Sequence, residues 1–78
     1  MTRQELLNRI TVVPEVCGGR PCVRGTRIDI AIILDALSEG LSPEQIIDHY
    51  PSLTVEDIRA VVAYASELAR STNSFSAL

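Results

Sequence analysis

Between Gly40 and Thr54 the chain packs a helix stop, a helix start, a second stop and a second start into a few residues. No other stretch limits the fold so strongly. Gly40 is a natural C-terminal stop, because glycine takes the left-handed conformation that ends helices. Ser42-Pro43-Glu44-Gln45 then supplies a cap, a proline suited to the first helical position and a glutamine able to close a capping box. Tyr50-Pro51 ends this segment, since the residue before proline is driven out of helical space. Thr54-Val55-Glu56-Asp57 starts another, with Thr54 as cap and two acids favoured in the first turn. Upstream, Ile30, Ile33, Leu34 and Leu37 recur at i, i+3, i+4 and i+7 behind a capping Asp29. The punctuation predicts a first helix over about 30–39, a short second one from Pro43 carrying Ile46 and Ile47, and a third to about residue 70. The third is expected to face inward with Ile58, Val61, Val62, Ala65 and Leu68.

The N-terminal third reads differently. Ile10-Thr11-Val12-Val13 is β-branched and suits a strand that Pro14 stops. Gly18-Gly19 offers the positive φ values of a tight hairpin turn. Arg24-Gly25-Thr26-Arg27-Ile28 is a second extended piece, with Gly25 at a turn or bulge. The expected fold is mainly α with a short N-terminal β-hairpin: a hairpin arm over about 6–28 and a three-helix bundle over about 29–70. Helices of these lengths with three- to four-residue links fit a tri-helical helix-turn-helix. Residues 1–70 make one domain, and 71–78, which lack periodicity, a flexible tail.

A chain of 78 residues buries a modest share of its surface, and association commonly compensates; a homodimer is expected. No apolar run reaches the roughly 20 residues of a membrane span, and the N-terminus precedes no signal-type apolar block. No membrane association and a cytoplasmic location are the expectations. Net charge is −3, unevenly spread. Residues 1–27 carry five arginines against two glutamates, whereas residues 28–78 carry two arginines against eight carboxylates. Lysine is absent. An anionic partner is therefore expected at the arm and is repelled by the helices.

Catalytic constellations are not evident. His49 is the single histidine and sits at a helix end, where a cap or surface role outweighs that of a general base. Nothing places a base beside a nucleophile, and phosphate-binding loops need a lysine that this chain lacks. Asp35/Glu39 and Glu44/Asp48 lie at i, i+4 opposite the apolar stripes, as solvated acidic faces do. Cys17 and Cys22 flank the Gly-Gly pair. Two cysteines and a distant histidine fall short of a zinc set, so apolar packing of the thiols is the default and a disulfide across the hairpin the second choice. No enzyme activity, cofactor or metal is expected.

The arginines of the arm are the candidate binding residues. Arg20, Arg24 and Arg27 present planar forks suited to phosphate or carboxylate. They contact either a nucleic-acid backbone or an acidic protein, or else pair internally with Asp29, Asp35 or Glu15; residue types leave both open. Arg59 is the one cation near the start of the third helix, the element that reads bases in helix-turn-helix proteins. Glu56 can pair with it from i−3, and two carboxylates at that end oppose phosphate. Gly18, Gly19 and Gly25 are the structural turn positions.

The run Gly18-Gly19-Arg20-Pro21-Cys22-Val23-Arg24-Gly25-Thr26-Arg27-Ile28, with Arg9-Ile10-Thr11 before it and Gly40-Leu41-Ser42-Pro43-Glu44-Gln45-Ile46 and Tyr50-Pro51-Ser52-Leu53-Thr54 after it, closely resembles the bacterial family called domain of unknown function 433. The resemblance covers roughly residues 6–70. It implies a tri-helical protein, homeodomain-like or winged, and no catalytic residues. Many such proteins are considered antitoxins of the VapB type, partnered with a PIN-like ribonuclease toxin. The positions matching the family's stretch are Gly18, Gly19, Arg20, Arg24, Gly25, Thr26 and Arg27. Val13 departs from it, standing before Pro14 where an acidic residue is expected. The resulting expectation is an antitoxin-like regulator that binds such a toxin and acts on its own promoter DNA. The alternatives are a stand-alone DNA-binding regulator and a small structural dimer domain.

Overall fold

A computed structural model describes residues 1–71. It contains helices α1 (Arg3–Leu7), α2 (Ile30–Ser38), α3 (Pro43–His49) and α4 (Val55–Arg70) and strands β1 (Ile10–Thr11) and β2 (Cys22–Val23). The class is as expected: mainly α, with a short N-terminal antiparallel hairpin in which Ile10 faces Val23 and Thr11 faces Cys22.

The caps read from sequence all form. Asp29 accepts from the Ala31 amide at 2.8 Å. Ser42 and Gln45 close a reciprocal capping box behind Pro43, and Thr54 closes another with Asp57 rather than with a longer acid. Gly40, at φ 94, follows the α2 cap. The Leu41 amide donates to the Ala36 carbonyl at 3.1 Å and the Gly40 amide to Leu37 at 3.0 Å, the paired bonds of a Schellman stop.

The core joins Ile10 and Val23 of the hairpin to Ile30, Ile33, Ile46, Leu53, Ile58 and Val61. Helix α4 is its spine, and its inward face differs from the expectation. Ala60 and Ala63 are buried, whereas Val62 and Leu68 are each 48% exposed. The cause is α1, which was not anticipated from the sequence. It packs on α4 through buried Leu6, while Arg3 pairs with Glu67 at 2.8 Å and donates to the Ala63 carbonyl at 3.3 Å. Helix α4 is thus packed by α1, β1, α2 and α3; the small residues Ala60 and Ala63 are buried among them and Val62 is turned out.

The arm also needs correction. Leu6 and Leu7 belong to α1, not to the arm. Each strand has two residues, and Val12, at the end of the expected strand, is exposed. Gly18-Gly19 is not a tight hairpin turn: the strands are linked by residues 12–21, with a 3-10 turn at Cys17–Gly19. The tight turn lies further on. The Thr26 amide donates to the Val23 carbonyl at 3.0 Å and the Val23 amide to Ile28 at 3.1 Å, with Gly25 at φ 81. That third position of a type II turn requires positive φ. A bridge from Cys22 to Asp29 delivers the chain into α2. Of the tail expected at 71–78, only Ser71, the cap of α4, lies within the described residues. No helix among those residues is long and apolar enough to cross a membrane.

Candidate binding arm and third helix of the bundle

The segment between β1 and α2 holds three of the four candidate arginines, each in a different state. Arg20 Nε meets Asp29 Oδ2 at 2.7 Å, and its side chain is still 66% exposed. The same aspartate caps α2 through its other oxygen, so one carboxylate both starts the helix and holds the arginine. Arg24 donates from Nε to the Asn8 carbonyl at 2.8 Å, and its amide donates to the Arg9 carbonyl at 2.7 Å. Arg27 is exposed and has no ion pair among the described residues.

Arg20 and Arg24 therefore share one mode of anchoring. Each is tied to the protein through Nε, which leaves the two terminal nitrogens without a partner among the described residues. A guanidinium held by one edge loses little further freedom on binding, and its outer edge remains a two-donor fork for carboxylate or phosphate. Of the internal partners considered from sequence, Asp29 is realised for Arg20. Asp35 is exposed on α2, and neither it nor Glu15 forms an ion pair with the arm among the described residues.

Gly25 fixes where Arg24 and Arg27 project. A Cβ there would meet no atom, so the requirement is conformational, not spatial. Pro21, which follows Arg20, accepts the Ile30 amide at 3.1 Å, tying the arm to the first turn of α2.

At the start of α4 the balance of charge is not that read from the sequence. Asp57 is buried; its Oδ1 accepts from Arg9 Nη1 at 2.9 Å and its Oδ2 from the Thr54 amide at 2.9 Å. One of the two carboxylates that oppose phosphate at this end is thus turned inward and compensated. Arg59 is exposed, and the pair with Glu56 does not form among the described residues. Sequence reasoning missed Arg9 and Asp57 as a unit because they lie far apart in the chain. The one available hint was an acid at the third helical position behind a threonine cap.

The exposed residues of α2 and α3 include Asp35, Glu44 and Asp48, with Glu39 as the α2 cap. A shallow cleft of about 360 Å³ lies between α2 and the end of α3, lined by Ile32, Asp35, Ala36, Glu39, His49 and Tyr50 among others. His49 is exposed at this rim. No group of three or more metal-ligating side chains occurs among the described residues.

Known proteins resemble this chain in sequence and fold. A family model described as "Protein of unknown function (DUF433)" matches residues 10–65. An uncharacterized protein of Sinorhizobium fredii is 38% identical over 56 residues, which cover 72% of this chain and 25% of that protein. This chain thus spans about a quarter of that relative's length. The crystal structure of a DUF433 member from Anabaena variabilis superimposes with a TM-score of 0.74 at 32% identity, covering 87% of this chain and 67% of the other. The match takes in the hairpin, the turn at Gly25 and most of the bundle, and on that extent the chain belongs to the DUF433 family.

Proposed function

We propose that this protein is a binding module of the antitoxin type, in which the arm docks on an acidic protein partner, a PIN-like ribonuclease. The reading is carried by the two Nε-anchored arginines: exposed forks held in place by Asp29 and by the Asn8 carbonyl, with exposed Arg27 on the same segment of the chain. Nucleases of that kind gather carboxylates around a metal, and an inserted arginine fork is a chemically sensible blocker. The acidic outer faces of α2 and α3 keep such a partner at the arm by repulsion elsewhere.

A homodimer belongs to the same reading. Val55 and Val62 are exposed one heptad apart on α4, and pairing of two such stripes would cover them. A regulatory action on promoter DNA is the second reading, favoured by exposed Arg59, which has no ion pair among the described residues, and by the inward turn of Asp57. It carries a signature: affinity that falls steeply with salt as phosphate contacts release counterions. The discriminating experiment expresses the protein with the product of the adjacent reading frame. Relief of growth arrest caused by a nuclease-type neighbour supports the antitoxin reading; no relief, with promoter binding at low salt, moves the assignment to DNA regulation.

A further inference from the structure

The arm also gathers the two cysteines. Cys17 Sγ donates to the Arg27 carbonyl at 3.2 Å and Cys22 Sγ to the Thr26 carbonyl at 3.7 Å. Because these carbonyls belong to consecutive residues, the two sulfurs meet adjacent peptide groups, Thr26–Arg27 and Arg27–Ile28. Both thiols are free, with Cys17 half-buried and Cys22 fully buried. Cys17 also has φ 53, the one positive value outside glycine among the described residues. A side chain held in that region is strained and persists only where its surroundings impose it. Cys17 opens the 3-10 turn Cys17–Gly19 that precedes Cys22.

We propose that Cys17 and Cys22 form a reversible intramolecular disulfide when the protein meets a peroxide. Cys17, the accessible sulfur, reacts first. Its thiolate attacks one peroxide oxygen, the O–O bond breaks, and the departing hydroxide takes up the thiol proton as water, leaving a sulfenic acid. Cys22 then attacks that sulfur. The S–S bond forms, the S–OH bond breaks, and the hydroxyl leaves as water with the Cys22 proton. Burial, reinforced by the neighbouring Cys17 side chain, pushes the Cys22 thiol above its ordinary value. That suits Cys22 to the resolving step, where its proton departs, better than to the first attack.

The disulfide removes both S–H···O bonds, which hold the Thr26 and Arg27 carbonyls, and so loosens the turn carrying Arg24 and Arg27. That consequence touches function only if the arm is the binding surface; the disulfide itself is independent of it. The test treats the full chain with hydrogen peroxide, blocks remaining thiols with an alkylating reagent and measures intact mass before and after reduction. The expected product is a monomer lighter by two hydrogens, refractory to alkylation and fully alkylated after reduction. The Cys22→Ser variant should accumulate a Cys17 sulfenic acid that dimedone traps, and Cys17→Ser should yield no intramolecular product. Over-oxidation of Cys17 in the wild type with Cys22 still alkylatable, or disulfides only between chains, would overturn the proposal. So would a wild type left unchanged by peroxide.

Discussion

Removing the Asp57 carboxylate should be among the most damaging single changes outside the apolar core. Its side chain is 11% exposed and serves two partners, Arg9 Nη1 and the Thr54 amide. Asp57→Ala deletes half of the α4 capping box, a loss of about 1 kcal/mol. It also strands Arg9. A hydrogen bond between charged groups is worth about 1.5–3 kcal/mol when buried, but the Arg9 side chain is 35% exposed and water recovers much of it, leaving about 1 kcal/mol. The sum is about 2 kcal/mol, out of roughly 4–12 kcal/mol for a domain of this length. At about 4–8 °C per kcal/mol for such domains, the midpoint falls by about 10 °C. The assay is thermal and urea unfolding followed by far-ultraviolet circular dichroism at fixed protein concentration. Asp57→Asn, which keeps an oxygen for the Thr54 amide but no charge, should lose about half as much. Exposed Asp35→Ala should stay within about 0.5 kcal/mol of wild type. A double-mutant cycle with Arg9→Gln should show coupling. A loss from Asp57→Ala no larger than that of Asp35→Ala, or losses at the two sites that simply add, would refute the reasoning.

Two further perturbations probe the arm and its support. Arg3, hydrogen-bonded to Glu67, holds that carboxyl below its ordinary range, helped by Arg70. A lowered folded value contributes stability that is present above the unfolded pKa and lost as pH falls through the folded one. Amide protection factors in α1, taken against the intrinsic exchange rate at each pH, should therefore fall below about pH 4 in the wild type, while Glu67→Gln shows the lower protection already at neutral pH; identical profiles would contradict this. Gly25→Ala places a Cβ in open space but at φ 81, so it should destabilise by about 1–2 kcal/mol through the backbone alone. Gly25→Asn should be milder, since asparagine tolerates that region, and equal midpoints for wild type and Gly25→Ala would argue against the turn.

The three C-terminal helices were readable because each carries its own boundary chemistry: Asp29 and Gly40 for α2, Ser42 and Pro43 for α3, Thr54 for α4. Such signals are local, and packing does not override them. What failed was non-local. Helix α1 has five residues, too few for an apolar period; its trace in the sequence was the box Thr2-Arg3-Gln4-Glu5, and it holds its place by docking Leu6 and Arg3 on α4. That docking then decided which face of α4 points inward, so Val62 and Leu68 were placed on the wrong side. In the arm, two glycines drew the turn to residues 18–19, whereas Gly25 is the residue that a closing hydrogen bond spans. The candidate arginines are chosen by residue type, and sequence cannot show that Arg20 and Arg24 are anchored by Nε or that Asp57 is paired with Arg9.

The central claim is that the outward forks of the arm hold a protein partner. Its most direct test is parallel affinity purification, from the source cells, of the tagged wild type and an Arg20→Ala/Arg24→Ala/Arg27→Ala variant, with recovered proteins weighed by mass spectrometry. The wild type should bring down a stoichiometric nuclease-like protein, and that protein should be lost from a variant that unfolds within a few degrees of the wild-type midpoint. Recovery of the same partner at the same stoichiometry by both proteins would contradict the claim.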